Sequence, residues 1–167
     1  RLGEKTQLCC TNEDVIRICT EALLKRIAQN PDAYVYSVSQ NDWYNYCECE
    51  PCTELAEREG SQMGPMLHLV NRVAAEVAKV YPDKAVETLA YQYTRKPPAT
   101  MRPLPNVIIR LCSIECDFLQ PLATSDFPDN VSFVEDLKGW SEISNRLWIW
   151  DYVTSFRAYL CPFPNLR

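Results

Sequence analysis

Three carboxylates stand at or just beyond segments that read as β-strands. Asp42 follows the run Tyr34, Val35, Tyr36, Val38; Glu115 follows residues 106–112 (NVIIRLC); Asp151 lies within residues 146–152 (RLWIWDY). Two carboxyl groups facing one cleft are what glycoside hydrolysis requires, one to protonate the leaving oxygen and one to activate water or attack the sugar. Asp42 reads as the acid, because it closes a strand and precedes Trp43, an aromatic that would desolvate it. Glu115 and Asp151 are the alternatives for its partner, and both retention and inversion stay open. The neighbouring residue types suit a sugar: Gln40 and Asn41 as amides for hydroxyls, Trp43, Tyr91, Tyr93, Trp150 and Tyr152 as flat rings for pyranose faces, and Arg110 with Asp117 near the third strand.

These groups meet only if the strands run parallel, so the elements between them decide the matter. Residues 11–14 (TNED) place Thr11 as a helix cap answered by Asp14, and Val15, Ile16, Cys19, Leu23 and Ile27 then recur at helical spacing until Asn30-Pro31. After the first strand, residues 54–59 are helix-compatible. A longer helix starts at Gly64-Pro65 and carries Leu67, Val70, Val73, Ala74, Val77 and Val80 on one face up to Tyr81-Pro82. Residues 85–91 (AVETLAY) read as the second strand. The crossover 95–105 (RKPPATMRPLP) is too proline-rich for a good helix, and residues 113–131 are irregular. A short helix over 134–143 and the strand at 146–152 follow, then a tail, 156–167, that would dock through its aromatics. Strands alternating with helices predict an α/β fold with a mostly parallel sheet. Four strands amount to half a (β/α)8 barrel or to a small open sheet; 167 residues is short of the roughly 250 that a closed barrel takes.

Nine cysteines are many for this length, and an odd number leaves at least one unpaired, metal-bound or paired elsewhere. Cys47, Cys49 and Cys52 form a tight group resembling half of a zinc site, for which Cys9, Cys10, Cys112, Cys116 or His68 would have to supply the fourth ligand. Without a second Cys-x-x-Cys, disulfides or packed thiols are the favoured reading over zinc, and no cofactor is expected. His68 reads as a helix-surface or partly packed side chain. The cysteine content favours an oxidising compartment: extracellular, periplasmic or cell-surface.

A balance of 17 basic against 22 acidic residues, with no Lys/Arg-rich run, argues against nucleic acid as a partner. A composition 47% hydrophobic and 23% charged is that of a globular domain with no membrane-spanning run. The chain opens at Arg1 without a recognisable leader, as a mature or excised segment would.

The blocks SVSQND, CECEPC, LHLVNRVAAEVAKVYPDKAVETLAYQYTRKPP, PNVIIRLCSIEC, LKGWSEISNRLWIWDYVTSF and PFPN, in this order over residues 7–166, resemble domain of unknown function family 4838. That resemblance implies a bacterial glycoside-hydrolase-like barrel near the β-hexosaminidase and α-glucuronidase families, within longer secreted or surface proteins of polysaccharide degraders. It further implies that residues 1–167 form one domain carrying the later strands of a partial TIM barrel, whose remainder is its first partner. In hexosaminidase barrels an adjacent acidic pair ends the fourth strand. The matching Asn41-Asp42 keeps only the second acid, which speaks against a substrate-assisted acetamido mechanism and leaves Asp42 as general acid. The leading expectation is therefore a carbohydrate-active hydrolase. A non-catalytic carbohydrate-binding domain and a cysteine-rich metal-binding structural domain are its rivals.

Overall fold

The computed structural model describes residues 5–152. In chain order these form α1 (Glu13–Gln29), β1 (Val35–Ser37), α2 (Glu50–Glu59), α3 (Met63–Val80), β2 (Ala85–Ala90), a 3-10 turn (Gln92–Thr94), β3 (Val107–Cys112), α4 (Pro128–Ile143) and β4 (Leu147–Trp150). The four strands make one sheet in the order β1-β2-β3-β4, every pair parallel. The chain is thus α/β with a parallel sheet. The tail that was expected to dock, and Cys161 within it, lie outside the described residues.

Alternation along the strands divides the sheet into two unlike faces. Tyr36, Val86, Ala90, Val107, Ile109 and Leu111 join one buried cluster with Ile16 and Ile27 of α1, Leu67, Val70, Val73 and Val77 of α3, and Phe133 and Trp140 of α4. Residues of the other parity, Glu87, Leu89, Arg110, Trp148 and Trp150, point away from that cluster, in a register that sets Leu89 beside Arg110 and Arg110 beside Trp148. Arg110 Nε stands 3.1 Å from Glu87 Oε1. Its guanidinium carbon lies 5.3 Å from the Trp148 ring centre and 5.4 Å from that of Trp150, within cation-π range. Arg146, just before β4, donates to the Tyr34 hydroxyl just before β1. Those two side chains tie the outer strands across three strand spacings, roughly 14 Å in a flat sheet.

Local chemistry moved several element boundaries. Asn12, not Thr11, caps α1: its Oδ1 accepts from the amides of Asp14 and Val15 at 2.9 and 3.1 Å, and Thr11 turns to the cysteines instead. α2 begins at Glu50, ahead of the expected residue 54, with Pro51 in its first turn where no amide is needed. α4 begins at Pro128 for the same reason, ahead of the expected residue 134. α2 ends on Gly60, whose φ of 60° is the left-handed C-cap that glycine adopts without penalty.

The proline-rich crossover is not a helix, as its composition dictates, and a buried acid organises it. Glu59, 2% exposed, accepts from the amides of Thr100 and Met101 at 2.8 and 2.9 Å and from Thr100 Oγ1 at 2.7 Å. Burial works to raise this carboxyl, but the three donors outweigh it and hold the group below its usual value of 4.5. Amides that the prolines leave without ladder partners are satisfied in this way.

Candidate functional site

At the carboxyl end of the sheet, Gln40, Asn41, Asp42, Leu89, Tyr91, Cys112, Trp150 and Tyr152 line an open cleft of about 200 Å³. Parallel strands are the cause, since every strand delivers its last residues and the loop beyond them to one edge. Asp42 is exposed and accepts a 3.0 Å hydrogen bond from the Tyr91 hydroxyl, which in turn accepts from Gln92 Nε2 at 3.0 Å. Gln92 has a φ of 51°, a left-handed conformation that costs a non-glycine residue roughly 1–3 kcal/mol. That strained turn aims the amide at Tyr91, and Tyr91 at Asp42.

Both cleft tyrosines are held as neutral phenols. Burial and then the Asp42 hydrogen bond push Tyr91 up, with Glu115 adding to the effect. Burial, with Cys112, Glu115 and Asp42 nearby, pushes Tyr152 to about 12. The charge of Glu115 therefore reaches the cleft. Its carboxylate, however, is ion-paired with Arg95 at 3.1 Å. The same guanidinium holds Asp136 at 2.8 Å and Ser132 Oγ at 2.6 Å, and Arg95 O accepts from Trp140 Nε1 at 2.7 Å. Burial still pushes the Asp136 carboxyl up, so desolvation here exceeds the attraction of the guanidinium, although the short contact leaves the pairing itself plain.

The remaining residues expected at the site separate into four groups. Gln40 and Asn41 border the cleft but are occupied by the framework: Gln40 Nε2 donates to Tyr91 O at 3.3 Å and its Oε1 accepts from Thr94, while Asn41 Nδ2 donates to Thr6 O at 3.3 Å. Asp151 and Arg110 line, with Trp148, Ile149 and Trp150, a neighbouring open pocket along β4 that shares Trp150 with the cleft. Trp43 and Tyr93 turn away from it. Trp43 packs under Lys5 Nζ at 4.7 Å, so it is not the ring that covers Asp42, and Tyr93 stacks on Tyr44 and Tyr46 at 6.0 and 5.2 Å. Asp117 Oδ1 caps the amide of Leu119 at 2.9 Å.

A second cluster of reactive groups adjoins the loop after β1. Cys9, Cys47, Cys49 and Cys52 bring their sulfurs within 4.8 Å of one another. Cys9 Sγ is 3.6 Å from Cys49 Sγ and 3.9 Å from Cys52 Sγ, and Thr11 Oγ1 is 3.2 Å from Cys52 Sγ. All eight cysteines among the described residues are free thiols, so no disulfide pins this loop. The thiols are unequal: the backbone amide of Cys52 in the first turn of α2 draws Cys49 down to about 6, whereas burial pushes Cys47 and the adjacent Cys10 to about 12. His68, partly buried on α3 beside Arg72, stays outside this group, and its pKa is lowered by burial.

A family model described as a domain of unknown function, DUF4838, matches residues 2–167. The chain belongs to this family. Neither a curated protein nor a solved structure matches it. In this DUF4838 domain no helix among the described residues is long and apolar enough to cross a membrane. Sequence reading missed Arg95 and Gln92 and gave Thr11 the helix cap instead. Arg95 sits in a crossover read only as too proline-rich for a helix, and Gln92 is betrayed only by its backbone. Cys9 was one of five candidates for a fourth ligand, and the topology selects it by bringing the segment before α1 against the start of α2.

Proposed function

We propose that this DUF4838 domain is a carbohydrate-active segment of a glycosidase-like barrel, acting on a glycan through the cleft at the carboxyl ends of its strands. One observation carries the reading: Asp42, held by Tyr91, shares that cleft with Trp150 and Tyr152. A carboxylate beside flat rings suits a pyranose, whose hydroxyls need acceptors and whose ring faces need apolar contact. In this reading Asp42 meets the glycosidic oxygen or an adjacent hydroxyl, and Glu115 serves as the second carboxylate only if a ligand draws it out of its 3.1 Å ion pair with Arg95.

Strand order supports the barrel. Right-handed crossovers that always step the same way across a sheet put every helix on one face, as in a (β/α)8 barrel; an open doubly wound sheet reverses direction and covers both. Here the strands run β1 to β4 without reversal, and the core lies on the helix side. The other face carries Glu87, Arg110, Trp148 and Trp150, a composition suited to a barrel interior completed by further strands. The Arg146–Tyr34 contact between the outer strands is what a sheet curling toward closure brings about.

A non-catalytic carbohydrate-binding domain is the second reading, favoured by the capture of Glu115 in the Arg95 ion pair. Substituting Asp42→Asn separates the two. A hydrolase retains affinity for oligosaccharide and loses turnover on the order of 10²-fold or more; a binding domain has no turnover in either form. If neither protein binds or cleaves any of a panel of pyranose oligosaccharides and aryl glycosides, the carbohydrate reading fails.

A further inference from the structure

Four cysteines from two separate stretches of chain converge beside the loop that carries Asp42. Cys9 comes from the arm before α1, Cys47 from the loop after β1, and Cys49 and Cys52 flank the start of α2. A zinc ion bound by four thiolates at about 2.3 Å sets its sulfurs at the corners of a tetrahedron with edges of about 3.8 Å. The 3.6 and 3.9 Å separations of Cys9 from Cys49 and Cys52 match that edge, and all of the sulfurs fall within 4.8 Å of one another. A disulfide would need about 2.05 Å, which neither contact approaches. We propose that Cys9, Cys47, Cys49 and Cys52 are the four ligands of a structural zinc ion.

The surroundings have the form of a ligand shell. Cys49-x-x-Cys52 straddles the first turn of α2, where unpaired amides and the helix dipole favour the negative charge that thiolates bring. The Thr11 hydroxyl, 3.2 Å from Cys52 Sγ and 3.8 Å from Cys49 Sγ, is placed to donate its proton to Cys52 and so orient that ligand. This also accounts for Thr11 leaving the α1 cap to Asn12. Four protein sulfurs fill a tetrahedron and leave no position for water, so the ion is structural rather than catalytic.

Its effect is to fix the arm to the Asp42 loop. Next to Cys9, Gln7 Nε2 donates to the carbonyls of Asn41, at 2.7 Å, and Trp43, and Gln7 Oε1 accepts from Asn41 N at 2.8 Å. Asn45 Nδ2 donates to Lys5 O at 2.8 Å. These exposed polar contacts compete with water, and the metal clasp at Cys9 and Cys47 is what makes them persistent. The zinc site stands whether or not the cleft takes a sugar.

The test is the metal content of the whole chain purified under reducing conditions without added metal, together with Co²⁺ exchange. One zinc per chain is expected, and Co²⁺ in its place should give the intense visible and thiolate charge-transfer bands of a tetrahedral tetrathiolate site. Cys9→Ser should weaken zinc retention against a chelator by at least about tenfold, while Cys19→Ala should keep it unchanged. Should Cys9→Ser fail to fold, the cobalt spectrum of the unaltered chain still decides. A folded, reduced chain without zinc and without those bands overturns the proposal; so do iron in place of zinc, or a disulfide among the four found on mass mapping.

Discussion

The loop after β1 and the loop after β3 both leave the carboxyl edge of one sheet, and each carries an acid with the sequence look of a catalyst. They are held in opposite ways. Asp42 is exposed, accepts from the neutral Tyr91 hydroxyl among the described residues, and lies between Asn41 and Trp43, whose backbone groups Gln7 holds. Glu115 is gripped directly by a guanidinium that also binds a buried aspartate. Holding a loop by its backbone leaves the acid free for a ligand, whereas holding it by the carboxylate spends that acid on the fold. Position at a strand end is therefore not enough to nominate a catalytic group; what already bonds its oxygens decides.

The sharpest way to break this contrast is at Asp42, where Asn should cost the 10²-fold or more in turnover described above with little change in melting temperature. Arg95→Met should show the reverse. With Asp136 left unpaired inside the fold, unfolding free energy should fall by about 3–5 kcal/mol in a denaturant titration. A stable Arg95→Met protein would mean that Glu115 is as available as Asp42. Glu59→Gln, which strips charge from the acid beneath the crossover, should cost about 1–3 kcal/mol. It should also flatten the acid limb of the stability profile. The Glu59 carboxyl is held below its ordinary value, so its contribution is present above about 4.5 and is lost as pH falls through the folded-state value. An unchanged acid limb in Glu59→Gln would contradict that assignment. The smallest effect belongs to Tyr91→Phe, which removes the donor to Asp42 and should shift oligosaccharide affinity or turnover by about 1 kcal/mol, near fivefold.

Much of the scaffold was legible because it is local. Residues 106–112 carry the β-branched run Val107, Ile108 and Ile109 that suits a buried strand, and the valines of α3 recur at a helical period. Boundaries erred where two local signals competed, as when Asn12 took the cap that Thr11 also fits, or where Pro51 and Pro128 opened helices earlier than their apolar stripes begin. The site was legible only as a set of strand ends. Its division into a cleft holding Asp42, Tyr91, Trp150 and Tyr152, a pocket along β4 holding Arg110 and Asp151, and a ring cluster holding Tyr93 depends on register and on side chains meeting across long stretches of chain. Arg95 finds Glu115 twenty residues on and Asp136 forty-one residues on, and Cys9 finds Cys49 forty residues on; no local pattern announces any of these.

The most direct measurement follows the indole N–H resonances of Trp43, Trp140, Trp148 and Trp150 while the chain is titrated with pyranose oligosaccharides. Trp150 lines the Asp42 cleft, Trp148 lines the neighbouring pocket, Trp140 is buried on the inner side of α4, and Trp43 lies under Lys5. The account predicts that Trp150 shifts most, while Trp140 and Trp43 stay in place. A response at Trp43 with Trp150 unmoved, or no response to any sugar, would contradict it.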